Sequence, residues 1–202
     1  MRWMIAILLW TGSLQADPVA EVMTAAQAAF ARMPSVVSVA RIEGHCGADA
    51  TVNSQVVYCT TSNEILIADA AYDLPQAPYL VAHAYGHAVQ VRHGVADFAL
   101  REIRNRRSEE IMLRGLVERQ VDCIAGFLMA RAGLPAAALT DWFDDDPFAG
   151  AHWGRNPLHA GPQVGIGLDA RAEWVARGQM GDLSACAPGE FTAGLLLEAV
   201  RP

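Results

Sequence analysis

The sequence predicts an α+β fold that is mostly helical, with a small antiparallel sheet or hairpin. Two observations carry that expectation. Several Ala- and Leu-rich segments repeat apolar residues at intervals of three and four, the helical period. Only three short runs, "SVVSVARI", "QVVYC" and "EILIA", have the β-branched character of strands. The chain has 202 residues and is 52% hydrophobic, enough to bury a real core in one domain.

The elements follow in order. The first residues, "MRW" then "MIAILLW" then "TGSLQA", give a positive charge, an apolar run and a small residue before Asp17. That is the pattern of a signal peptide over residues 1–16, cut after Ala16. An uncleaved anchor is the alternative. The run is too short for a membrane-spanning helix, which needs roughly 20 residues. Residues 17–202 then form a single domain. Asp17-Pro18 reads as an N-cap and first-turn proline, opening a helix to Met33. Residues 35–42 follow as a strand. "QVVYC" and "EILIA" flank "TTSN" as a hairpin.

From Gln76 to about His93, Tyr79, Leu80, His83, His87 and Val91 recur at helical spacing, and Gly94 stops the helix. A second helix begins near Ala99 or after Ser108 and runs to about Ala132, before Gly133 and Pro135. "LTDWFDDDPFAG" holds a short helix and an acidic turn. "AHWGRNPLHAGPQVGIG" reads as a Gly/Pro loop, "DARAEWVARG" as a helix and "FTAGLLLEAV" as the last one.

Composition narrows the partners. The net charge is −7, and all 15 basic residues are Arg. Phosphate-rich surfaces attract positive charge, so neither a nucleic acid nor an anionic membrane is an expected partner, and a membrane enters only through residues 1–16 if they stay attached. The local exception, "REIRNRR" at 101–107, reads as a solvated helix start. Four cysteines in an exported chain favour disulfides, with three pairings open. Cys46 and Cys59 are nearest in sequence and suit a hairpin staple, which leaves Cys123 with Cys186.

The chemistry lies in two residue pairs. His83 and His87, four apart on a helix, present both imidazoles on one face, where they can share a metal. Glu118 and Asp122 are also four apart. A hydrolytic zinc takes three protein ligands, two His and one Glu being one such set. A ligating His also needs its other ring nitrogen held by a carboxylate. Glu118 as third ligand and Asp122 as that carboxylate meet both needs. Alternatively, Glu118 is a surface acid beside Arg114 and Arg119.

"HAYGHAVQ" followed by "ERQVDCIAG" resembles the neutral zinc metallopeptidase family of bacteria, whose motifs run approximately HExGHHxQ and ELQADCxAG. "HCG" with "VYC" and "EILIA", the acidic "DWFDDDP" and the closing "LDARAEWVARGQMGDLSAC" resemble further family segments, in the same order over most of residues 19–187. The resemblance implies a zincin-like fold and zinc on His83, His87 and Glu118, with Asp122 in support.

One position departs from it. Ala84 stands where the family carries its general-base glutamate, so no catalytic residue remains intact. Ala88 also departs, at a position with no assigned chemistry. Tyr85 is turned about 100° further around the helix, away from the histidines. The loop carrying Asp144, Asp145 and Asp146 can approach the site. His159 resembles a family "HG" stretch and is a candidate to line the cleft, while His152 reads as a loop residue. His45 and His93 read as surface residues, and Gln90 as an exposed helix residue or cleft edge.

The expectation is therefore an exported, periplasmic or secreted zinc-binding metallopeptidase homologue, with impaired or no proteolytic activity and a peptide or protein as ligand. The competing readings are an active zinc metallopeptidase with another base, and a metal-free, disulfide-stapled binding domain.

Overall fold

The computed structural model describes residues 17–48, 52–136, 139–153 and 160–201, with side chains left undescribed at 151–153 and 160. The signal segment 1–16 and His159 lie outside the described residues. Helix α1 (Pro18–Ala29) starts where the sequence places it. The Asp17 carboxylate accepts from the N–H groups of Val19 at 3.0 Å and Ala20 at 3.2 Å. It ends four residues earlier than expected. Phe30 is extended and bridges Val200, Arg32 adopts φ 58°, and Pro34 disfavours a helical Met33.

Strands β1 (Ser35–Val39), β2 (Val56–Cys59) and β3 (Glu64–Ala68) form one sheet in the order β1-β3-β2. The expected β2–β3 hairpin is present, with Val57 opposite Leu66. The sheet is mixed rather than antiparallel, because β1 joins the far edge of β3 in parallel, Val37 against Leu66. The 39–56 connection is long enough to carry β1 to that edge, and local pattern does not encode this choice. β3 is central, with Ile65 and Ile67 fully buried.

A short helix α2 (Asp69–Tyr72) leads to α3 (Ala77–Arg92), buried nearly all round and stopped at Gly94, φ 81°. The expected second helix is two. α4 (Val95–Asn105) ends at Arg106, whose φ −127°, ψ 59° break the spiral, and α5 (Glu110–Arg131) starts after a 3-10 turn. Arg106 there bonds Glu190 at 2.6 Å and Glu109 at 3.2 Å on the exposed surface. α6 (Leu139–Trp142) is the short helix before the acidic turn. The Gly/Pro segment holds a second small sheet, β4 (Ala151–Trp153) against β5 (Ala160–Gln163), instead of a plain loop. α7 (Leu168–Gln179) packs on α5, and α8 (Gly194–Ala199) closes the chain.

Both disulfides follow the nearest-neighbour pairing. Cys123–Cys186 ties α5 to the segment after α7. Cys46–Cys59 fastens the β1–β2 loop to the last residue of β2, not one hairpin strand to the other. Among the described residues, no helix is long and apolar enough to cross a membrane.

Candidate metal centre

Helices α3 and α5 cross closely enough to bring the two residue pairs together, and Gly86 makes that possible. A Cβ on Gly86 would lie 2.7 Å from the Val121 carbonyl oxygen and 2.9 Å from its Cγ1. With hydrogen there, one turn of α3 seats against α5 between the histidines and Glu118. His83 Nε2 lies 3.6 Å from Glu118 Oε2, and His87 Nε2 lies 3.5 Å from Glu118 Oε1. His83 and Glu118 are each only 2% exposed, and His87 is partly covered.

One ligand atom from each residue lies within 4.8 Å of the others, so the three can hold a metal ion. Around a tetrahedral ion with bonds of about 2.0–2.1 Å, neighbouring ligand atoms stand about 3.3 Å apart. The two His–Glu118 separations exceed that by a few tenths of an ångström. The surface alternative for Glu118 does not hold. Glu118 is buried rather than exposed on the outer face of α5.

Asp122, fully buried, lies behind His83. Its Oδ1 is 2.9 Å from His83 Nδ1 and accepts from the Tyr79 hydroxyl at 3.0 Å. A proton on Nδ1 satisfies that carboxylate and leaves the Nε2 lone pair facing Glu118, the tautomer a metal ligand needs. Arg171, fully buried, donates from one nitrogen to Asp122 Oδ2 at 2.8 Å and to Glu118 Oε2 at 3.2 Å. Its Nε donates to Asp146. Burial pushes the Asp122 carboxyl up to about 7, against the pull of Arg171. Glu118, Asp122 and Asp146 thus gather around one guanidinium, and a divalent cation held by the first of them would add positive charge beside all three.

Phe148 forms one wall. Its ring stacks on His83 with centroids 3.6 Å apart and planes 6° from parallel. Neither Arg171 nor Phe148 nor Tyr79 was a candidate from sequence. Arg171 did leave a signal: it shares the buried stripe of α7 with Trp174, Val175 and Gly178, where a charged side chain needs partners.

The remaining candidates separate cleanly. Ala84 is 3% exposed, one residue along from His83. Tyr85 points elsewhere, its hydroxyl donating to the Pro34 carbonyl at 2.9 Å. Asp144 and Asp145 are exposed; of the three only Asp146 turns inward, and it reaches Arg171 rather than His83, His87 or Glu118. Gln90 is not exposed. It is 1% accessible and its amide donates to Val117 O and Gln120 Oε1, because α3 is covered on both flanks by its neighbours. His45 is exposed, while His93 is half-buried beside Phe30, with its pKa lowered chiefly by burial.

No protein-family model, curated protein or solved structure was found to match this chain.

Proposed function

We propose that this chain is an exported zinc-binding protein of the metallopeptidase type, in which the metal ligands persist and the proton carrier is gone. The observation that carries the reading is the convergence of His83, His87 and Glu118, with Asp122 on the far nitrogen of His83. Two disulfides among the described residues fit an oxidising location such as the periplasm or the exterior. The likeness of "HAYGHAVQ" and "ERQVDC" to the neutral zinc metallopeptidases supports zinc over other divalent ions, and His-His-Glu is a donor set that zinc favours.

Zinc in such a site supplies Lewis-acid polarisation of a peptide carbonyl. Hydrolysis also needs a group that takes a proton from the attacking water and delivers it to the leaving amine. The Ala84 methyl can do neither. The nearby groups of the described residues are committed elsewhere: Tyr79 to Asp122, Tyr85 to Pro34, and Asp146 to Arg171 and backbone N–H groups. Burial pushes the Tyr79 hydroxyl far above its ordinary range, so it stays protonated. The residues His83, His87 and Glu118 are thus left to bind and orient. The ligand of this reading is a peptide or protein segment, held rather than cut.

Metal analysis of the purified native protein is expected to give one zinc per chain, lost in His83→Ala. A metal-free native protein that cannot be loaded overturns the reading. It would favour the alternative that the 3.2 Å Arg171–Glu118 contact belongs to a self-sufficient buried ion network. A second expectation concerns Asp122→Asn. The amide cannot hold the Nδ1 proton of His83 with the same strength, so zinc affinity falls by about 10–100-fold. Competition against a chromophoric chelator measures this, and an unchanged affinity removes Asp122 from the centre.

A further inference from the structure

We propose that Arg171 is the positioning residue of the metal centre, one guanidinium that fixes the ligand Glu118 directly and the ligand His83 through two intermediaries. The proposal rests on the zinc-binding reading above and deepens it. Arg171 is fully buried and contacts carboxylates from two directions. One terminal nitrogen is shared by Glu118 Oε2 and Asp122 Oδ2, at 3.2 and 2.8 Å. Its Nε faces the other way and engages Asp146.

The first contact restrains the carboxylate that both histidines face. Through Asp122, the same nitrogen holds the edge of the His83 ring, since Asp122 Oδ1 is 2.9 Å from Nδ1. The second contact works through Asp146. That carboxylate accepts from the N–H groups of Phe148 at 2.9 Å, Ile166 at 3.0 Å and Gly167 at 3.1 Å. It therefore pins the acidic turn to the start of α7. The turn carries Phe148, whose ring lies parallel on His83 and 5.1 Å from the Arg171 guanidinium carbon. The His83 ring is thus held at its edge by Asp122 and across its face by Phe148, and Arg171 ties down both.

A planar fork with donors aimed in different directions does this; a single ammonium cannot. Charge alone makes the opposite prediction. A cation beside the ligands repels an incoming metal, so a purely electrostatic Arg171 would weaken binding and its loss would strengthen it. Lys in its place would then behave like the native residue.

The test is zinc affinity by chelator competition on the native protein, Arg171→Lys, Arg171→Gln and Asp146→Asn. The visible spectrum of the cobalt(II) forms serves as a second readout of ligand geometry. Both Arg171 variants are expected to bind zinc about 10–100-fold more weakly, with an altered cobalt spectrum, and Asp146→Asn about tenfold more weakly. Native-like affinity in Arg171→Lys, or tighter binding in Arg171→Gln, overturns the positioning role while leaving the zinc site standing. A native protein that takes up no zinc overturns both. Where the Arg171 variants lose their near-ultraviolet circular dichroism without metal, Asp146→Asn decides the matter, and native affinity there rejects the proposal.

Discussion

Ala84→Glu is expected to create metal-dependent peptidase activity, or to raise any residual activity by at least about 10²–10⁴-fold, the usual contribution of a positioned acid–base group. The upper end is the better expectation, since one carboxylate would serve both proton transfers. The geometry of α3 favours the substitution. Successive helical residues turn by about 100°, so position 84 lies roughly 60° from position 87, on the flank of the histidine face, whereas position 85 lies on the far side. Tyr85 obeys this, reaching Pro34 instead of His83, His87 or Glu118. Cleavage of a broad peptide library by zinc-loaded native and variant proteins, each with and without chelator, measures the effect. Equal cleavage by the two zinc-loaded proteins would place the catalytic water somewhere other than beside residue 84. Chelator-sensitive cleavage by the native protein would show that another group carries the proton.

What could be read from sequence was what local rules control. The span of α3 follows from a periodic run closed by a left-handed glycine, and the structure ends it at Arg92, one residue before the expected His93. The β2–β3 hairpin follows from two apolar runs and a short polar turn, in which Asn63 takes φ 56°. The pairing of His83 with His87 was legible because four-residue spacing projects side chains to one face, while spacing left Glu118 open and the motif resemblance is what joined it to them. Long-range choices were not. Nothing local tells β1 to join β3 in parallel, or breaks the 95–131 stretch at Arg106. The exposure of Gln90 was misjudged because its polarity is satisfied by Val117 and Gln120, residues on another helix. Arg171 was overlooked for a related reason. Its partners Glu118, Asp122 and Asp146 come from two separate segments, and only the assembled α5–α7 contact shows that one charge serves all three.

That contact leads to the second large effect. Gly178→Ala is expected to destabilise the protein by more than about 4 kcal/mol, at the severe end for a single substitution. Ordinary overpacking costs about 1–3 kcal/mol because flexible side chains absorb it. Here the obstacle is backbone. A Cβ on Gly178 would lie 1.8 Å from the Cys123 carbonyl oxygen and 2.7 Å from the Phe127 nitrogen. Gly126 faces the reciprocal problem, 2.0 Å from the Val175 carbonyl oxygen. No rotamer relieves these distances; α5 and α7 must separate. The Cys123–Cys186 disulfide resists that separation at the same place, so the strain spreads along the interface. Arg171 lies two turns before Gly178 on α7, and its partners Glu118 and Asp122 are on α5. Spreading the helices therefore withdraws the guanidinium from both carboxylates. Denaturant unfolding with the disulfides intact checks the stability term, and zinc uptake by the folded fraction checks the second consequence. Met180→Ala is the control: that side chain is 72% exposed, and its loss should stay within about 0.5 kcal/mol. A Gly178→Ala shift as small as the control's would mean that the two helices do not meet as closely as these distances require. Full stability with lost zinc uptake would instead mean that the interface gives way by sliding, with Arg171 moving and the core staying packed.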